Sequence, residues 1–130
     1  MRILIVDDDY TSRTKIKCLL GEYGDCDAVR NGEIALNMFK MAYEEQVPYD
    51  LVTMDINMPN MSGKDVVREI LAFEQAHDPK KSPSVKIVMM TVQNKAQDVM
   101  ESFNEGCDGY IIKPVTPEKI SKVLKDIGLR

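Results

Sequence analysis

The sequence predicts an α/β fold in which five βα units form a doubly wound, five-stranded parallel sheet. Short apolar runs of strand length alternate with amphipathic segments of helix length. Such alternation is typical of a parallel sheet covered by helices on both faces. The first run, residues 3–6, is apolar throughout, as expected of a strand buried on both faces. No internal repeat or low-complexity segment interrupts the pattern, so we expect a single domain over residues 1–130.

The individual elements follow from apolar periodicity and from helix-end signals. Strands are predicted at residues 3–6, 26–29, 49–54, 85–90 and 110–112. The first helix carries an apolar stripe and is predicted to end near Gly24. The later helices are predicted to begin at side chains that can cap a first turn, namely Asn31, Ser62, Asn94 and Thr116. Residues 77–84, with two prolines and two lysines, are predicted to be a loop.

Composition excludes several classes of protein. A net charge of −4 disfavours direct binding of nucleic acid, which usually requires a basic face. No apolar run approaches the roughly 20 residues that span a bilayer, and the N-terminal residues do not resemble a signal peptide. The three cysteines have neither CxxC nor metal-site spacing, which is typical of reduced thiols. We therefore expect a cytoplasmic protein.

Chemically active side chains follow the predicted strands, where ligands bind in open parallel sheets. Asp7 and Asp8 follow the first strand, Asp55 the third, Thr91 the fourth and Lys113 the fifth. Three converging carboxylates repel one another, and Mg²⁺ relieves such repulsion because it prefers oxygen ligands. Lys113 adds positive charge beside a transferring group. The hydroxyl group of Thr91 can donate a hydrogen bond to a phosphoryl oxygen.

Asp55 is the expected phosphoryl acceptor among these residues. A carboxylate is a competent nucleophile that gives an aspartyl phosphate. Asp55 heads a turn that can offer the main-chain carbonyl of Asn57 to a metal ion. Asp50 precedes its strand and Asp108 begins another, so neither has this setting.

Each of these residues also has a simpler explanation when taken singly. An aspartate at a strand end is usually a helix cap, and the acidic triplet at residues 7–9 can complement the dipole of the first helix. Lys113-Pro114 can be an ordinary turn. The joint occurrence of all these residues at successive strand ends favours a functional site.

Several stretches resemble the receiver domain of two-component response regulators, over about residues 2–124. The turn from Asp55 to Gly63, of the form Asp-x-x-Met-Pro-x-Met-x-Gly, and the later Lys113-Pro114 are the most specific parts. The other matching stretches are residues 3–9, 31–36, 90–91 and 106–112.

The resemblance implies a flavodoxin-like strand order, 2-1-3-4-5, and a Mg²⁺-dependent phosphoacceptor. Asp55 would accept a phosphoryl group from a sensor histidine kinase or a histidine phosphotransfer protein. Asp8, Asp55 and the Asn57 carbonyl would bind Mg²⁺ directly, and Asp7 directly or through water. Lys113 would contact the phosphoryl group and, before it arrives, Asp55. Such a protein is not an enzyme, because it promotes only its own phosphorylation and dephosphorylation.

The resemblance also implies a switch that leads to a protein-binding surface. Thr91 would move toward the phosphoryl oxygen and Tyr110 would swing inward behind it, although Tyr110 can equally be an ordinary half-buried aromatic residue. The surface made by the fourth helix, the fifth strand and the fifth helix would then change. A cis peptide is expected between Lys113 and Pro114. The protein would be a monomer or a phosphorylation-dependent dimer.

Three features depart from the family pattern. Val92 follows Thr91 where a small residue is usual, and we expect this branched side chain to slow phosphoryl transfer, hydrolysis or both. The segment at residues 73–84 is longer than usual and includes a basic Lys80-Lys81 pair. The chain ends shortly after the fifth predicted helix, so no output domain is expected.

Three alternative functions remain open at this point. A phosphatase of the haloacid-dehalogenase type needs an Asp-x-Asp pair after its first strand, whereas Asp55-Ile56-Asn57 follows the third. A flavodoxin-like cofactor binder needs a phosphate loop after its first strand, where the acidic triplet would repel phosphate. A receiver-like module that binds a partner without phosphorylation has the same polar residues as a phosphoacceptor.

Overall fold

A computed structural model describes residues 1–56, 58, 61–80, 84–92 and 106–130 and contains the predicted sheet. All strand pairs are parallel, and the order is β2-β1-β3-β4-β5. The predicted fold class and strand order are therefore confirmed. The strands are β1 (Arg2–Val6), β2 (Asp25–Val29), β3 (Leu51–Asp55), β4 (Lys86–Thr91) and β5 (Gly109–Ile112).

Four helices lie in the described parts of the chain, and their starts agree with the capping signals. They are α1 (Tyr10–Leu20), α2 (Gly32–Glu44), α3 (Gly63–His77) and the C-terminal helix (Pro117–Asp126). Asn31, Ser62 and Thr116 each accept a hydrogen bond from an amide of the first turn, as predicted. The predicted helix that begins at Asn94 lies outside the described residues.

The end of α1 was predicted wrongly, because Gly24 has a different role. The helix ends at Leu20, and the amide of Gly21 still donates to the carbonyl of Lys17. Gly24 packs against the main chain of Met1, and a Cβ atom there would overlap the Met1 carbonyl oxygen. The glycine therefore permits close backbone approach rather than helix termination.

Two apolar layers cover the two faces of the sheet. One layer joins the sheet to α2 and α3 and includes Phe39, Val52, Met54 and Ile70. The other joins it to α1 and the C-terminal helix and includes Ile5, Ile16, Val88, Met90 and Leu124. Strands β1 and β3 have almost no exposed residue, which explains why their sequences are continuous apolar runs.

The segment after α3 is anchored by a buried carboxylate. Glu74 is 4% exposed and accepts hydrogen bonds from the Tyr43 hydroxyl group, at 2.9 Å, and from the Val85 amide, at 3.1 Å. Burial, and next the hydrogen bond to Glu74, raise the pKa of Tyr43. The predicted loop begins after His77, the last residue of α3, and residues 81–83 of it lie outside the described part.

The state of the cysteines fits the expectation from composition. All three cysteines are free thiols. Burial, and next the Asp108 carboxylate, raise the pKa of the Cys107 thiol to about 11, so this residue behaves as an apolar side chain. Among the described helices, none combines the length and apolar character needed to cross a membrane.

We predict that Thr53→Val stabilises the fold. The Thr53 hydroxyl oxygen is buried and has no hydrogen-bond partner within the described residues, and leaving such a group unsatisfied costs about 1–3 kcal/mol. Urea unfolding should show a higher free energy of unfolding for the valine variant. Thr53→Ser, which keeps the hydroxyl group and loses the methyl group, is the matched control and should lower it. A valine variant less stable than the wild type would contradict this account.

Candidate functional site

Hydrogen bonds between strands continue one residue beyond the strand ends and fix the backbone of the site. The Asp7 amide donates to the Val29 carbonyl at 3.1 Å, and the Lys113 amide donates to the Thr91 carbonyl at 2.7 Å. The Ile56 amide, directly after the end of β3, donates to the Met90 carbonyl at 3.0 Å. The carboxyl ends of the strands are thus held at a common edge of the sheet.

This edge brings together the three carboxylates predicted from the sequence. Asp7 is 1% exposed and Asp55 is 8% exposed, whereas Asp8 faces solvent. One carboxylate oxygen from each lies within 4.8 Å of the others. Burial strengthens the repulsion between such charges, because the local dielectric constant is lower than that of water.

Lys113, the residue directly after β5, extends its side chain to the same cluster. Its Nζ atom lies 2.9 Å from Asp7 Oδ2 and 3.8 Å from Asp55 Oδ2. The resemblance implied contact with Asp55, but the shorter ion pair is with Asp7. The Lys113–Pro114 peptide is cis, as expected.

Two residues of the first turn of α1 also hold Asp7, and sequence reasoning missed both. Ser12 Oγ donates to Asp7 Oδ2 at 2.7 Å, and Arg13 Nη1 donates to the Asp7 carbonyl at 2.9 Å. The Asp9 amide donates to Asp7 Oδ1 at 2.9 Å. A hydroxyl residue one turn after the acidic triplet was an available signal, but its partner depends on how α1 packs against β1.

Lys119 is a further residue that the sequence did not reveal. Its Nζ atom donates to the carbonyls of Ile112, at 2.8 Å, and Pro114, at 3.0 Å. These two carbonyls flank Lys113 on either side. The C-terminal helix thereby fixes the loop that carries the lysine of the site.

The remaining predicted site residues differ in their solvent exposure. Thr91 is the last residue of β4 and is 1% exposed. Tyr110, on the edge strand β5, is 38% exposed, and Val92 is 65% exposed. Asn57 lies outside the described residues, so its part in a metal site stays a prediction.

The donor set fits Mg²⁺. Carboxylate oxygens are hard ligands, and Mg²⁺ is usually bound by one or two carboxylates together with waters and phosphate oxygens. Asp8 leaves the cluster accessible from solvent. The side chains of Asp7, Asp8 and Asp55 could therefore hold the ion in this chain.

Comparison with known proteins agrees with the fold and the acidic cluster. Residues 3–125 match the family described as "Response regulator receiver domain". The chain belongs to this receiver family. Receivers of the family are phosphoacceptor signalling modules of two-component systems rather than classical enzymes, and they bind Mg²⁺ at an acidic pocket.

Relatives of this receiver include chemotaxis proteins. It is 35% identical to chemotaxis protein CheY-3 of Vibrio cholerae, over 96% of this chain and 92% of that protein. Among solved structures, a CheY-like receiver from Methanospirillum hungatei has a TM-score of 0.78 and 27% identity, covering 98% of this chain and 92% of the other.

A plant structure adds evidence for the fold alone. The receiver domain of the histidine kinase CKI1 from Arabidopsis thaliana, complexed with Mg²⁺ and BeF₃⁻, has a TM-score of 0.78 at 23% identity. The alignment covers 95% of this receiver and 89% of that domain.

We predict that Gly63→Ala disturbs the site through the backbone. A Cβ atom at Gly63 would overlap the carbonyl oxygen of Asp55, so the backbone that carries this carboxylate must shift. Overpacking of this kind costs about 1–3 kcal/mol. Urea unfolding should show a free energy of unfolding that is lower by this amount. Isothermal titration calorimetry should show weaker Mg²⁺ binding.

Gly32→Ala is the matched control for Gly63→Ala. A Cβ atom at Gly32 would overlap a methyl group of Val66, a side chain of α3 rather than the backbone of a carboxylate in the cluster. This variant should lose stability and keep wild-type Mg²⁺ affinity. Unchanged Mg²⁺ affinity in Gly63→Ala would contradict the proposed contact with Asp55.

Proposed function

We propose that this receiver accepts a phosphoryl group on Asp55 from a phosphohistidine donor. The observation that carries the proposal is the position of the Lys113 ammonium group between the carboxylates of Asp7 and Asp55, at 2.9 and 3.8 Å. A cation shared by two carboxylates can turn toward an incoming phosphoryl group and stabilise its charge.

The chemistry is a displacement at phosphorus. A carboxylate oxygen of Asp55 forms a bond to phosphorus while the bond from phosphorus to the donor's imidazole nitrogen breaks. The electron pair of that bond stays on the imidazole nitrogen, which is protonated from solvent. Lys113 binds the phosphoryl oxygens, and the Thr91 hydroxyl group donates to one of them.

Mg²⁺ is the cofactor in this proposal. The side chains of Asp8 and Asp55 and the carbonyl of Asn57 would hold it, and Asp7 would contribute directly or through water. When bound, the ion supplies positive charge that makes a phosphoryl group favourable beside several carboxylates. Lys113 adds a second positive charge to the same cluster, where it lies 2.9 Å from Asp7 and 3.8 Å from Asp55.

Phosphorylation would be read out through Thr91 and Tyr110. Thr91 is buried at the end of β4, and Tyr110 is 38% exposed on β5, so inward rotation of the ring would bury apolar surface. The surface that changes is proposed to comprise the predicted fourth helix, β5 and the C-terminal helix. In this account the chain signals by protein contact at that surface.

The partners follow from the same proposal. The donor is a sensor histidine kinase or a histidine phosphotransfer protein. The resemblance to CheY-3 supports a chemotaxis-like switch that binds a protein target, and a phosphorelay is the second candidate. The protein would act in the cytoplasm, as a monomer or as a dimer formed on phosphorylation.

The proposal is tested by phosphorylation with acetyl phosphate followed by intact-mass spectrometry. We expect one phosphoryl group per chain with Mg²⁺, and none after chelation with EDTA or in Asp55→Asn. Asp50→Asn is the matched control, because Asp50 is exposed and precedes β3, and it should be phosphorylated normally. If the wild-type chain gains no mass with Mg²⁺, the proposal is wrong, and a module that binds its partner without phosphorylation is favoured instead.

Val92 is expected to set the lifetime of the phosphoryl group. Its side chain is 65% exposed and follows Thr91 directly, where it can narrow access to phosphorus. Val92→Ala should be phosphorylated and dephosphorylated faster, with stability unchanged to within about 0.5 kcal/mol because the site is exposed. The decay of the phosphorylated mass after removal of the donor measures this effect. Equal rates in the two proteins would refute a role for Val92.

A further inference from the structure

The carboxylate of Asp7 depends on protein donors rather than on water. The residue is 1% exposed, and a buried charge is costly unless hydrogen bonds satisfy it. Oδ1 accepts from the Asp9 amide at 2.9 Å. Oδ2 accepts from two groups, Ser12 Oγ at 2.7 Å and Lys113 Nζ at 2.9 Å.

The two donors to Oδ2 differ in how firmly they are held. The Lys113 ammonium group ends a long side chain and also lies 3.8 Å from Asp55, so it is shared between carboxylates. Ser12 Oγ is separated from the backbone of α1 by a single side-chain torsion. The Ser12 amide is itself fixed, because it donates to the Asp9 side chain that caps α1, at 2.8 Å.

This difference matters when the charges of the site rearrange. In the proposed function, Lys113 turns toward the phosphoryl group and its ion pair with Asp7 weakens. Asp7 would then lose its lysine partner while still buried. The Ser12 hydroxyl group lies 2.7 Å from Oδ2, and because this contact does not involve Lys113 it can hold the carboxylate after the lysine turns away.

We propose that Ser12 is a positioning residue of the cation site, which holds the Asp7 carboxylate in the orientation that Mg²⁺ binding requires. The proposal rests on the proposed function, because it concerns the same site. Hydrogen-bond partners of this kind orient metal ligands, and losing one typically lowers metal affinity about 10- to 100-fold. Ser12 acts through Asp7, to which its hydroxyl group donates a hydrogen bond.

The test is Mg²⁺ binding to the unphosphorylated full chain, measured by isothermal titration calorimetry. Ser12→Ala should bind Mg²⁺ about tenfold more weakly than the wild type. Ser12→Thr keeps a hydroxyl group at the same position and should restore most of the affinity. Thr14→Ala removes a hydroxyl group from an exposed position of α1 and should leave the affinity unchanged.

Thermal unfolding in EDTA separates positioning from general stabilisation. If Ser12→Ala lowers the unfolding temperature without metal and leaves the Mg²⁺ dissociation constant unchanged, the hydroxyl group only stabilises the fold and the proposal is wrong. Tighter Mg²⁺ binding by Ser12→Ala would also overturn it, because the hydroxyl group would then compete with the ion. Failure of Ser12→Thr to restore affinity would likewise count against it.

Failure of the proposed function gives a different result. If the wild-type chain binds no Mg²⁺, both the cation site and the Mg²⁺-dependent phosphoacceptor function are ruled out. A wild-type chain that binds Mg²⁺ with the same affinity as Ser12→Ala would overturn the role of Ser12 and leave the phosphoacceptor function standing.

Discussion

The repulsion among three carboxylates is the constraint on which this site depends. Asp7, Asp8 and Asp55 each place an oxygen within 4.8 Å of the others, and two of the three side chains are buried. Lys113 offsets part of this charge through its contacts with Asp7 and Asp55. The charge that remains is of the kind that a divalent cation offsets, and the exposed Asp8 leaves the cluster open to solvent. The repulsion that opposes folding is thus what favours binding of the cation.

The fold can sustain this repulsion because the residues cannot easily move apart. Asp7 and Asp55 are attached to strands packed between two apolar layers, and their backbones are held by hydrogen bonds that extend the parallel ladders. Gly63 brings the start of α3 against the Asp55 carbonyl, and Lys119 fixes the loop that carries Lys113. Moving the carboxylates apart to relieve their repulsion would therefore disrupt packing well beyond the site.

Features encoded locally could be predicted from the sequence, and features that depend on packing could not. Strands buried on both faces are continuous apolar runs, and capping side chains mark helix starts, so the order of elements and the convergence of the carboxylates followed directly. Gly24 was misinterpreted because its role is contact with Met1, which is remote from the pattern of α1. The preference of Lys113 for Asp7, and the hydrogen bond from Ser12, depend on distances that spacing does not encode.

Thermal unfolding of Asp8→Asn with and without Mg²⁺ tests whether carboxylate repulsion creates the need for a divalent cation. Removing the exposed charge relieves repulsion without breaking the cap of α1, which is Asp9. We expect Asp8→Asn to unfold at a higher temperature than the wild type in EDTA. We also expect Mg²⁺ to raise the unfolding temperature of the wild type but not of the variant. An Asp8→Asn variant that is less stable in EDTA and still stabilised by Mg²⁺ would contradict both expectations.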